Sequence, residues 1–96
     1  KKRPVLVLTS PDRHGDFICL AVTSVPQPSP NILIGSNQLL IGNLPKVSWV
    51  RVEKIFTLDH RLIIKGLGRL NNRTMRQILA ILCDQIGYES SDSAVF

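Results

Sequence analysis

The chain has 96 residues, 44 % of them hydrophobic, and a formal net charge of +5. This length suits one small domain, the apolar content argues against disorder, and no apolar run approaches the roughly 20 residues that span a bilayer. Cys19 and Cys83 lie too far apart for a zinc signature or a redox CxxC pair, so both are expected to be plain buried thiols.

Residues 4–9 form an apolar, β-branched run that ends in Ser10-Pro11-Asp12, which predicts a buried strand entering a turn. Residues 13–16 are polar and turn-like, and residues 17–23 predict a second buried strand. Residues 24–31 are a loop in which Pro26, Pro28 and Pro30 withhold backbone donors, so this segment stays out of a central sheet. Residues 31–34 suit a short edge strand. Gly42-Asn43 is turn material, and the preceding Leu39-Leu40-Ile41 is apolar enough to be core, packed under the loop, or a dimer patch.

Residues 47–58 are the clearest strand. Val50, Val52, Phe56 and Leu58 share one parity and mark a core face, while Arg51 and Glu53 sit two residues apart on the other. Asp59-His60 turns the chain, and residues 62–69 predict a last strand weakened by Gly66 and Gly68. Asn71 or Asn72 then caps a helix in which Met75, Ile78, Leu79, Leu82 and Ile86 recur at helical spacing, with Gly87 as its C-terminal cap. Residues 88–96 are expected to be a tail. The implied architecture is a single domain over residues 1–96, mainly β, a small antiparallel barrel with one C-terminal helix.

The charge is unevenly spread. Residues 46–76 hold eight basic and two acidic side chains, whereas residues 84–96 hold three acidic and no basic ones. A basic middle favours a polyanion partner, although five aromatics leave few stacking platforms for bare single strands. Glu53 offers a general base, and Arg51 offers a permanent cation whose planar fork of donors fits a phosphate. Together they suit cleavage of RNA by its own 2′-hydroxyl, which needs a base on that hydroxyl and positive charge on the phosphorane. The plainer alternative is a surface ion pair. Arg3 is either a phosphate ligand or an exposed chain end, and Thr23 either contacts substrate or closes a loop. His14 and His60 sit in turns, as proton carriers or without a role. No metal-ligand spacing and no Ser/His/Asp order occurs, so neither metal nor cofactor is expected.

Four stretches, in order, resemble the PemK/MazF (Kid-like) toxins of bacterial toxin–antitoxin pairs. They are Arg3-Pro4-Val5-Leu6-Val7-Leu8-Thr9, Ala21-Val22-Thr23-Ser24, the run from Ser48 to Asp59 with its Arg-x-acid centre and Thr-Leu-Asp ending, and Leu67-Gly68-Arg69-Leu70 before the helix. The resemblance implies an SH3-like barrel, a homodimer, and a metal-independent endoribonuclease. Such an enzyme cuts single-stranded RNA to leave 2′,3′-cyclic phosphate and 5′-hydroxyl ends. It implies catalytic roles for Arg51, Glu53, Arg3 and Thr23; on that reading Ser24, Lys54, Lys65 and Arg69 are candidates for contacts to the RNA.

It further implies an acidic cognate antitoxin as partner; the absence of an export signal and of a long apolar run in the given sequence leads to an expectation of a cytoplasmic location and no membrane association. Glu53 departs from the Asp of the PemK-like branch and lengthens the carboxylate arm by one methylene. The family's opening strand and loop, with its His, would precede Lys1, so the chain is expected to lack that strand. Two alternatives remain open: a toxin-like protein that binds RNA or antitoxin without cutting, and an unrelated small basic β-barrel.

Overall fold

Alternation of apolar and polar residues along the central segment builds a long strand around which the rest assembles. The computed structural model describes residues 3–87. Its strands are β1 (Val5–Val7), β2 (Asp16–Thr23), β3 (Ile32–Ile34), β4 (Leu39–Gly42), β5 (Ser48–Asp59) and β6 (Gly68–Leu70), followed by one helix, α1 (Asn72–Ile86). The expected tail at residues 88–96 lies outside the described residues.

Strands β1, β2, β5 and β3 form one antiparallel sheet in that order, and β4 pairs with β6 in a separate two-stranded ribbon. The result is the expected mainly β architecture, an antiparallel half-barrel with a single C-terminal helix. The residue cluster at its centre joins Leu20 and Val22 of β2, Val50 and Val52 of β5, and Ile34 of β3 to Leu70, Ile78 and Leu82. Helix α1 thus covers one face of the sheet. Asn71 caps it, its side chain accepting the Thr74 N–H at 2.8 Å, and Gly87 ends it at φ 70°.

The register of β5 against β2 changes once, and the change matters most for the site. Leu20 lies opposite Ile55, but its neighbour Ala21 lies opposite Arg51, so Val52, Glu53 and Lys54 have no counterpart on β2. Three unmatched residues are an odd number, and an odd shift exchanges the faces of the strand. Val50 therefore lies opposite Val22 on the helix side, whereas Phe56 and Leu58 lie opposite Cys19 and Phe17 on the other side. The single core face expected for Val50, Val52, Phe56 and Leu58 is corrected accordingly: the four belong to opposite faces. Phe17 and Cys19 are fully buried on the second face, so the sheet packs on both sides.

Other expectations also shift. The buried first strand shortens to three half-buried or exposed residues, because β1 is an outer strand among the described residues. Leu39-Leu40-Ile41 forms most of β4; Leu39 packs against the core cluster, while Leu40 and Ile41 are largely exposed. Of the last strand expected at residues 62–69, only Gly68 and Arg69 are in a strand, β6, which runs on to Leu70. Asp59 caps a 3₁₀ turn at His60–Leu62, and the apolar residues 62–64 that follow are exposed. On α1, Ile78 and Leu82 are buried but Leu79 and Ile86 are not, which narrows the apolar stripe. Cys19 is buried as expected; Cys83 is exposed, one residue past Leu82 and therefore turned off the packed face.

The β4–β6 ribbon crosses at a pair of glycines, Gly42 opposite Gly68. Gly42 has φ 89°, and a Cβ there would overlap the backbone carbonyl of Leu67. Gly42→Ala is expected to lower stability by more than about 1 kcal/mol, combining a strained backbone with a steric clash. Chemical denaturation measures this; an unchanged midpoint would show that the ribbon adjusts freely.

Candidate functional site

On the face opposite α1, a cavity of about 250 Å³ opens between β1, β2 and β5. Arg3 and Val5 line it from the β1 side, Ala21 and Thr23 from β2, and Arg51, Lys54 and Phe56 from β5. In an uninterrupted strand Arg51 and Phe56 would face opposite ways. The unmatched stretch at residues 52–54 brings them to one cavity and turns Lys54 in beside them. Three cations, Arg3 ahead of β1 and Arg51 and Lys54 on β5, thus meet apolar residues at one pocket, a fit for an anionic group attached to something flat or apolar.

Arg51 is about one-third exposed and pairs with Glu53, Nη2 to Oε1 at 3.4 Å. Its Nε is buried with no hydrogen-bond partner among the described residues. A buried, unspent guanidinium donor is expensive to leave unmade and marks a group that has donors to offer an incoming acceptor after a small adjustment. Glu53 is nearly half exposed and does not line the cavity; it stands beside Arg51 at its edge. Its Oε1 also accepts from Asn31 Nδ2 at 3.2 Å. The Asn31 amide, then the Arg51 guanidinium, holds its carboxyl below the ordinary value of 4.5. Oε2 has no hydrogen-bond partner among the described residues.

Thr23 accepts the Val25 N–H through Oγ1 at 3.2 Å, which closes the turn after β2. That bond uses an acceptor lone pair, so the hydroxyl proton remains to be donated into the cavity. Ser24, next along, is exposed and outside the lining. Lys65 and Arg69 are exposed and likewise outside it, Lys65 in the segment after the 3₁₀ turn and Arg69 on β6. The structure thus brings together Arg3, Thr23, Arg51 and Lys54, sets Glu53 at the rim, and leaves Ser24, Lys65 and Arg69 apart.

His60 is committed elsewhere: its Nδ1 lies 2.8 Å from the Gly15 carbonyl, tying the turn after β5 to the start of β2. His14 lies in the Asp12-capped turn and contacts Arg13. No group of three or more His, Cys, Asp or Glu suited to a metal ion occurs among the described residues. None of their helices is long and apolar enough to cross a membrane.

Three residues of this face escaped the sequence. Phe56 was read as core because the strand looked continuous. Trp49 lies opposite Thr23 on the cavity side, a flat half-buried aromatic where the composition suggested few platforms. Asn31 looked like the end of a loop. An Asn between a proline-rich segment and an apolar triplet was the available signal, but nothing in the sequence linked it to a residue 22 positions away.

Residues 1–86 match the family model for PemK-like, MazF-like toxins of type II toxin–antitoxin systems. The chain belongs to this toxin family. A solved structure described as an endoribonuclease from mycobacterial species has the same fold as this toxin-family chain. The TM-score is 0.72 at 20 % identity, over 88 % of this chain and 80 % of that one. No curated protein sequence is significantly similar.

Because the folded-state pKa of Glu53 is lowered, ionised Glu53 favours the fold above its unfolded pKa. That contribution is lost as pH falls through the folded value. Arg51→Met removes one of the two bonds to Oε1 and is expected to move the Glu53 titration upward. Carboxyl ¹³C shifts measured against pH report this directly, and a titration unmoved by the substitution would show that the ion pair is not formed in solution.

Proposed function

We propose that this toxin is an endoribonuclease that cuts single-stranded RNA through attack of the 2′-hydroxyl on the adjacent phosphate. The observation that carries the reading is the convergence of Arg3, Arg51, Lys54 and Thr23 on one cavity, with the Glu53 carboxylate at its rim. Family membership and the likeness to a mycobacterial endoribonuclease support it.

In this mechanism Glu53 Oε2 takes the 2′-hydroxyl proton, and the freed oxygen forms a bond to phosphorus. Arg51, with Arg3 across the cavity, carries the charge that develops on the phosphorane oxygens. The bond to the 5′-oxygen breaks, and that oxygen takes a proton from water, because a guanidinium keeps its own. The products carry a 2′,3′-cyclic phosphate and a 5′-hydroxyl. The two arginines and Lys54 supply the positive charge that a divalent ion supplies in other nucleases, so the chemistry calls for no metal. Thr23 donates to a phosphate or base edge, and Trp49 and Phe56 offer faces for bases. Ser24, Lys65 and Arg69 guide the strand further out.

The cognate antitoxin would set an acidic segment on the same cations, in competition with RNA. Homodimerisation remains part of the proposal, with cytoplasmic RNA as the target.

One observation favours a second reading, binding without cutting. Glu53 lies outside the cavity lining, and its hydrogen bonds to Asn31 and Arg51 make it a weaker base than a free carboxylate. Incubation with mixed-sequence RNA in EDTA separates the two. Cleavage is expected, with Arg51→Ala lowering the rate by about a hundred- to a thousandfold, the usual effect of losing such an electrostatic donor. Loss below about fivefold contradicts the role given to Arg51. No cleavage by folded protein that still binds RNA, with the steep salt dependence of a polyanion contact, supports the binding reading.

A further inference from the structure

We propose that Asn31 is a positioning residue for Glu53, its buried side-chain amide fixing the carboxylate through one oxygen so that the other faces the substrate. This rests on the catalytic reading of Glu53 given above.

Asn31 is one of three buried polar residues among those described, with 7 % of its surface exposed. Its Oδ1 accepts the Val52 N–H at 2.9 Å, and its Nδ2 donates to Glu53 Oε1 at 3.2 Å. The partners decide the orientation of the amide. Val52 N–H is only a donor, so it must meet the oxygen; the NH₂ is left to the carboxylate. A single planar group therefore links a backbone atom to the side chain of the next residue.

Both partners belong to the stretch of β5 that has no counterpart on β2. On its other flank β5 pairs with β3 only at Ser48–Val50, so the Val52 N–H lies past the end of that ladder, and a buried N–H without a partner is costly. Asn31 supplies the missing acceptor for Val52 and anchors the one carboxylate beside the cavity in the same contact. Its own N–H donates to Pro28 O at 3.2 Å, so the proline-rich loop presents the side chain to β5 from a fixed point. Among the described residues the charged group acting on Glu53 is Arg51, from the same strand; Arg3 and Lys54 stand at the cavity that Arg51 lines. Asn31 comes from a separate segment and is neutral, so it orients Glu53 without adding charge to the phosphate site.

Asn31→Asp is the discriminating variant. It keeps an acceptor for Val52 N–H but replaces the donor with a second carboxylate oxygen facing Glu53. Glu53 and the new Asp then titrate as a pair, with one proton held to higher pH. The acid limb of kcat/KM against pH for mixed-sequence RNA is expected to move upward. The Glu53 ¹³C titration is expected to move with it, and kcat to fall about ten- to a hundredfold while KM changes little, as for a displaced catalytic group. A folded Asn31→Asp protein with an unmoved limb and an unmoved titration overturns the proposal.

A wild-type measurement decides the case if that variant does not fold. The Asn31 side-chain NH₂ resonances are expected to titrate with the Glu53 midpoint and to lose that step in Glu53→Gln; resonances blind to Glu53 overturn the proposal. Retained cleavage by Glu53→Gln instead removes the base reading. The NMR coupling separates that failure from a failure of the Asn31–Glu53 contact.

Discussion

Three residues of β5 with no counterpart on β2 govern both the packing and the site. On one side of Val52–Lys54 the strand sends its even-numbered residues, Val50 and Val52, into the cluster beneath α1. On the other side, even-numbered Phe56 and Leu58 lie against Cys19 and Phe17 on the opposite face. The exchange lets the even-numbered residues of one strand pack on both faces of the sheet. It also brings Arg51, Lys54 and Phe56 to a single cavity, which regular alternation forbids.

Irregularity of this kind needs support from outside the ladder. The support is polar at the end of β3 and apolar beneath the helix: Asn31 meets the Val52 N–H, while the Val52 side chain is buried with Ile78 and Leu82 in the same cluster. The two contacts meet on one residue, which stands between Arg51 and Glu53 in the strand. A pre-set cationic cavity suits a reaction in which charge grows on phosphate oxygens, because donors already in place need no reorganisation as that charge develops. The hydrogen bonds from Asn31 and Arg51 that hold the Glu53 carboxylate also lower its basicity.

Much of this was legible in the sequence. The long alternating run gave β5 to within one residue at each end, the Asn71 and Gly87 signals bounded α1, and the prolines kept residues 24–31 out of the sheet. These features are local, and local sterics and capping decide them. The motif stretches also placed Arg3, Thr23 and Arg51 together, although they are far apart in sequence. The register change was not legible, because no glycine or proline marks Val52–Lys54 and every residue there suits a strand. Phe56 is misplaced for that reason, whereas Asn31 meets Glu53 across 22 residues that no local signal connects. The exposure of Leu40, Ile41 and residues 62–64 was missed for another: an apolar run reports a preference for burial, not whether the fold supplies a cover.

The most direct test of the account is the chemistry of the RNA ends. Fragments made by the wild-type chain in EDTA are to be read by mass, beside those from Glu53→Gln. The account predicts 2′,3′-cyclic phosphate on the upstream fragments and 5′-hydroxyl on the downstream ones, with both lost in the variant. Fragments with 5′-phosphate ends, or cyclic phosphates formed equally well by Glu53→Gln, would contradict it.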